Sequence, residues 1–238
     1  MTVDPLQLMA EVDRATDRLL RTAAALDDAA VAEASALPGW SRGHVLAHVA
    51  RNADAYVNLL TWARTGAVTP AYRDATQRET DIAAGAPRPL AEQLADVRAA
   101  AARFAAAAGE MPPEAWTAQL ELRTGTKPAA VVVWDRLREV EVHHVDLAAG
   151  YGPADWPEAF SHRLLHELVA DLGGRDDFPP LVLEPAEAGH ALTLGEPDGA
   201  PVVSGPAWAL AGWLAGRTTG EGITISPDGS LPAPPVWK

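Results

Sequence analysis

Two residues one helical turn apart, Glu139 and His143 in the run RLREVEVHHVDLAAG (136–150), are spaced to do metal chemistry. Side chains four positions apart share a helix face. A carboxylate and an imidazole there need one further donor to make a three-ligand site with an open position, the arrangement of catalytic zinc. The best donor lies in HVLAHVARN (44–52), which offers His44 and His48. His44 falls in the first turn after Ser41, where partial exposure is expected, whereas His48 sits among Val45, Leu46 and Val49. His48 is therefore favoured, and a site using both histidines is the alternative. Arg136 lies one turn before Glu139 and Asp146 one turn after His143, so a solvated polar stripe is the plain competing account of this face. Two rival motifs fail. Glu141 and His144 form the Glu-x-x-His pair of di-iron bundles, but the only other match, Glu187 to His190, falls in an expected hairpin. The dipeptide His166-Glu167 lacks the second histidine of a zinc protease.

The chain has 238 residues and no cysteine. Disulfides, thiolate zinc sites, CxxC redox chemistry and a cysteine nucleophile are thereby excluded together. Any thiol chemistry must use a thiol brought by a small molecule. The formal net charge of −13 argues against a nucleic-acid partner, because phosphate binding needs clustered Lys and Arg, and lysine occurs only at Lys127 and Lys238. An acidic substrate would need local positive charge, from a metal or a placed arginine. No apolar run approaches the ~20 residues of a membrane span, and MTVDPLQLMAEVDR has no basic region ahead of a hydrophobic one. A cytoplasmic location and no membrane partner are the expectation.

Four amphipathic patterns must position these side chains. Leu8, Val12, Ala15, Leu19 and Leu26 mark the first. The second follows Pro38-Gly39-Trp40 with Ser41 as N-cap, runs through His44, His48, Tyr56 and Leu59, and stops at Gly66. Leu90, Leu94, Val97, Ala101, Phe104 and Ala108 give the third, and the fourth runs from near Pro128 to near Gly150. Four such helices predict a bundle, which builds metal sites from inward side chains on facing helices. The connection from Gly66 to about Pro89 predicts a crossover or a lid. Beyond Tyr151-Gly152-Pro153 the pattern changes to a helix over about 157–172 and strands over 181–184, 191–194 and 223–226. Another helix opens at Ser204-Gly205-Pro206 and runs to Arg217, where a basic residue at a helix end is ordinary. The tail LPAPPVWK is expected to be extended. The fold class read from this is α+β, with a four-helix bundle over 1–152 and a small α+β domain over 153–238.

Three stretches, LPGWSRGHVLAHVARNADAYVNLL, REVEVHHVDLAAG and VVSGPAWALAGWLAGR, resemble in order and separation those of the mycothiol-dependent maleylpyruvate isomerase family. The resemblance covers nearly the whole chain. It implies a DinB-like N-terminal bundle bearing zinc and a C-terminal α+β domain similar to sterol carrier proteins. It implies His48, Glu139 and His143 as zinc ligands, in agreement with the helix spacing. It also implies functional roles for Asp146, in the His-x-x-Asp-Leu run, and for Arg217, in the Ala-Gly-Arg run, where the guanidinium would clamp an oxygen of substrate or mycothiol. The activity implied is conversion of maleylpyruvate to fumarylpyruvate by reversible addition of mycothiol's thiolate, with zinc and mycothiol as cofactors and a monomer expected. Transfer of mycothiol to another electrophile, a zinc hydrolase, and a non-catalytic zinc- or ligand-binding module are the alternatives. The chain departs from the family at two neighbours of the ligands: Glu141 stands where an aromatic is frequent, and His144 where a small residue is.

Overall fold

The computed structural model describes residues 4–122, 125–187 and 189–237. It separates into two compact units, Met1–Tyr151 and Gly152–Lys238.

In the first unit the four expected helices are α1 (Pro5–Ala24), α3 (Arg42–Thr65), α5 (Leu90–Gly109) and α6 (Val131–Asp146), with two more, α2 (Asp28–Ala32) and α4 (Ala75–Gly85), in the connections. The long helices close a ring: α1 packs on α6, α6 on α3, α3 on α5 and α5 on α1. Their apolar stripes supply the core, with Leu19, Leu46, Val49, Val97, Phe104, Leu137 and Val140 all at 1 % exposure or less. Two of the long helices have a local reason to begin or end where they do. The Asp4 side chain accepts from Leu6 N at the start of α1, Ser41 accepts from His44 N at the start of α3, and Gly66 ends α3 in the left-handed conformation at φ 74°.

Two local expectations are corrected. The fourth helix begins at Val131 rather than near Pro128, because residues up to Pro128 complete a hairpin of β1 (Gln119–Leu122) and β2 (Gly125–Pro128), in which only β1 alternates polar and apolar residues, over four positions. The first helix ends at Ala24, short of Leu26. Within the connection after Gly66, α4 forms, capped by Asp74 accepting from Gln77 N, and packs on α3. Glycine permits that contact. A Cβ on Gly85 would lie 2.8 Å from Ala47 Cβ, and one on Gly43 would collide with the Ala86 carbonyl. This close approach carries Arg78 and the residues before α4 to the polar layer of the bundle.

The second unit contains α7 (Glu158–Leu172), α8 (Ala207–Leu214) and a sheet of β3 (Leu181–Pro185), β4 (Leu192–Leu194), β5 (Val202–Gly205) and β6 (Thr224–Ser226), ordered β4-β3-β5-β6. The β3–β5 pair is parallel and the other two are antiparallel. Both helices pack on each other and on the sheet, burying Phe160, Leu164, Leu168, Leu210 and Trp213. Strand β5 replaces the expected start of a helix at Ser204: the helix begins only after Pro206 and ends at Leu214, before Arg217. A Cβ on Gly205 would lie 2.7 Å from the Gly222 carbonyl, so this position serves close strand approach rather than helix initiation. No helix among the described residues is long and apolar enough to cross a membrane.

Candidate metal centre

Helices α3 and α6 run antiparallel, and two arginines fix their register. Arg42, at the start of α3, donates from Nε to Leu147 O (3.0 Å) and from Nη2 to Ala148 O (3.1 Å), just past the end of α6. Toward the other end, Arg136 of α6 donates from Nη1 to Val49 O (2.9 Å) and to Asn52 Oδ1 (2.8 Å) of α3. Between these clamps the helices bring His48 opposite Glu139 and His143. His48 Nε2 lies 3.0 Å from Glu139 Oε2 and 3.0 Å from His143 Nε2, and His143 Nε2 lies 3.4 Å from Glu139 Oε2. This is the one group of three or more His, Asp or Glu side chains among the described residues with donor atoms close enough to share an ion.

The donor set fits zinc. Bonds of about 2.0–2.2 Å in a tetrahedron set neighbouring ligand atoms roughly 3.3–3.5 Å apart, so the observed spacings need only a slight opening. The layer is also arranged for positive charge. Burial works against a charge on His143, but hydrogen bonds to Asp146 and Glu139 outweigh it and raise its pKa to about 9. Burial and the neighbouring His143 lower that of His48 to about 4. Burial opposes ionisation of Glu139 too, yet the two histidines hold its carboxyl well below the usual range. A carboxylate and two imidazoles converge, with room for one cation between them.

Asp146, 1 % exposed, lies with Oδ2 2.8 Å from His143 Nδ1. A carboxylate behind the far nitrogen of a ligating histidine fixes the ring and its tautomer. Trp40 adds a wall, its ring centroid 5.5 Å from that of His48. His44 is occupied elsewhere: Ser41 N donates to its Nδ1 at 3.2 Å in a capping box, and its ring stacks on Trp40 at 6.1 Å. Arg217 belongs to the second unit, where its Nη1 donates to Ala215 O at 2.7 Å.

The solvated-stripe account of α6 does not hold. The Glu139 and His143 side chains keep only 21 % and 16 % exposure, and Arg136 has none. Glu141 and His144 face α1 instead of the metal layer. Glu141 pairs with Arg18 and accepts from the Tyr151 hydroxyl at 2.7 Å. His144 Nε2 lies 2.8 Å from Thr22 Oγ1, and its ring stacks on Tyr151 at 3.6 Å. These two departures from the family pattern are thus matched by partners on α1 and at Tyr151, on the side away from His48, Glu139 and His143.

Sequence reasoning passed over Arg78, whose Nη2 lies 3.4 Å from His48 Nδ1, and the neighbouring Tyr72. The available signal was Asp74 as an N-cap with Gly85 at the far end, which marks a helix inside the long connection.

The comparisons with known proteins accord with this geometry. The model of the mycothiol maleylpyruvate isomerase N-terminal domain matches residues 12–148, and that of the family's C-terminal domain matches residues 155–235. The crystal structure of the mycothiol-dependent maleylpyruvate isomerase is similar with a TM-score of 0.91 and 31 % identity, covering 99 % of this chain and 98 % of that one. A crystallised histidine-to-alanine variant of that enzyme gives the same values. No curated protein sequence matches the chain. Two family models spanning both units, and a solved enzyme that matches over almost the full length, place this chain in the mycothiol-dependent maleylpyruvate isomerase family of enzymes.

Proposed function

We propose that this protein is a zinc- and mycothiol-dependent cis–trans isomerase that converts maleylpyruvate to fumarylpyruvate, acting as a cytoplasmic monomer on small molecules. The observation that carries the reading is the convergence of His48, Glu139 and His143 in a cysteine-free chain of this family. Bound there, zinc supplies a Lewis-acidic open position that favours thiolate over thiol at neutral pH, and mycothiol supplies the sulfur whose reversible addition turns the substrate's double bond into a rotatable single bond. The protein's own groups bind, orient and shield. His48 and His143 present Nε2, and Glu139 presents Oε2. Asp146 is a positioning residue: by accepting from His143 Nδ1 it leaves Nε2 as the donor atom. Trp40 screens His48 from water on one side. Arg217 is assigned to an oxygen of substrate or mycothiol, which its planar fork can hold at two points. The direct test is turnover: zinc-loaded protein with mycothiol should isomerise maleylpyruvate, and protein without mycothiol should not.

Two variants probe the supporting residues. In Asp146→Asn the amide cannot reproduce the carboxylate's charge, and zinc affinity should fall roughly 10- to 100-fold, read by competition with a chromophoric chelator. Unchanged affinity would remove Asp146 from the support of His143. Arg217→Lys keeps the charge but loses the bidentate donor, so kcat/KM should drop about 10-fold or more with little change in melting temperature. Turnover near that of the parent would leave Arg217 an ordinary basic residue beyond the end of α8.

A further inference from the structure

The metal layer is flanked by basic groups that the assigned ligands leave unused. Arg78, on α4, is half-buried and reaches His48 Nδ1 at 3.4 Å, with no carboxylate in ion-pair range among the described residues. A guanidinium has only donors. A neutral imidazole ligating through Nε2 carries its proton on Nδ1, so with His48 as a ligand these two groups become donor facing donor. Arg78 then needs an acceptor elsewhere. Beside it, the buried Tyr72 hydroxyl has no hydrogen-bond partner of normal geometry. Burial raises that phenol's pKa while the adjacent Arg78 pulls it down, with Glu139 and Arg136 also close enough to act on it. Arg136 is fully buried, and only its Nη1 is bonded: Nε and Nη2 have no partner. A buried guanidinium with two idle donors is costly unless a negative charge is near. Glu139, one turn along α6, supplies part of that charge, but a divalent cation at the histidines would draw on the same carboxylate. The result is a locally positive cluster of side chains in a protein of net charge −13.

We propose that Arg78 and Tyr72 form a carboxylate-binding subsite beside the metal centre, with Arg136 adding positive potential from inside the bundle. The ligand class is a small cis-dicarboxylate or keto acid, one carboxylate of which takes two hydrogen bonds from the Arg78 fork and one from the Tyr72 hydroxyl. The subsite lies wholly within the first unit and is separate from the role given to Arg217. It rests on reading the site as one for an anionic substrate, but not on the isomerase reaction.

The test is calorimetric titration of zinc-loaded protein with maleate, without mycothiol or turnover. Arg78→Gln should weaken maleate binding roughly 10- to 100-fold, as expected for a lost charge-assisted bidentate contact. Tyr72→Phe should weaken it about 3- to 10-fold, and Arg78→Lys should restore only part of the loss. Zinc content by elemental analysis should stay at the parent's level in all three. Absence of maleate binding by the parent protein would overturn the proposal, as would parent-like binding in Arg78→Gln. Loss of zinc from Arg78→Gln would also overturn it, because Arg78 would then be a support of His48. Should the protein prove inactive on maleylpyruvate, the titration still decides the subsite, so the two readings fail separately.

Discussion

Zinc content is expected to fall from about one ion per chain to near zero in His48→Ala and in His143→Ala, with isomerase activity lost by a factor of at least ~10³. The magnitude follows from the ligand count. A site of three protein donors has none to spare, and removing one leaves a carboxylate–imidazole pair or two imidazoles, too few to hold zinc against the buffer. The helices should persist, because the apolar core of the bundle, including Leu19, Leu46, Val97, Phe104 and Leu137, does not depend on the ion. Circular dichroism beside elemental analysis separates metal loss from unfolding. Full zinc in both variants would sink the assignment. Loss of zinc from His44→Ala would be equally damaging, since His44 is engaged in the α3 capping box.

The second large effect concerns the thiol. Turnover of maleylpyruvate should be undetectable without mycothiol, because the chain has no cysteine to substitute for it. Simple thiols should be poor replacements, since the remainder of mycothiol supplies the binding energy that holds sulfur next to the substrate. Alignment of this kind is worth several orders of magnitude in rate. Titrating mycothiol into the zinc-loaded protein near pH 7 should release protons, because a free thiol has a pKa of about 8.5 and the coordinating form is the thiolate. Full activity without any thiol would favour zinc–water hydrolysis or direct Lewis-acid isomerisation. Consumption of mycothiol with no fumarylpyruvate formed would identify an S-transferase that uses the same ligands.

The juxtaposition of Glu139 and His143 was legible in the sequence because they lie on one helix, where spacing alone fixes their relation. His48 could be preferred over His44 because the neighbours of one are apolar and the other stands beside an N-cap. Burial of α6 was less legible. Arg136, Glu139, His143 and Asp146 look like a wet face in sequence, yet α1 and α3 cover the helix from two sides, so its polar residues are largely buried. Periodicity reports one apolar face and cannot reveal a second face buried through hydrogen bonds to Asn52, Arg18 or Tyr151. The short α4 was hidden for another reason. Its residues ATQRETDIAAG are polar over most of their length, and its position depends on the glycine contacts with α3 that only the folded chain brings together. Arg78 and Tyr72 went unnoticed with it. Strand β5 was obscured by Pro206, which begins a helix one residue after the strand ends.

The donor atoms that meet between α3 and α6 come from residues 91 and 95 positions apart. At synthesis rates of about 5–20 residues per second, His48 is made on the order of 5–20 s before its partners, and it has no ligand beside it to hold an ion while it waits. Glu139 and His143 arrive together, but on a helix that takes its place only when α1 and α3 receive it. A zinc finger draws its ligands from one short segment and folds around the ion. Under the proposed function the order is reversed: the bundle is expected to close on its apolar core before the metal binds. A cell short of zinc would accumulate folded, empty enzyme that can be filled when the metal returns.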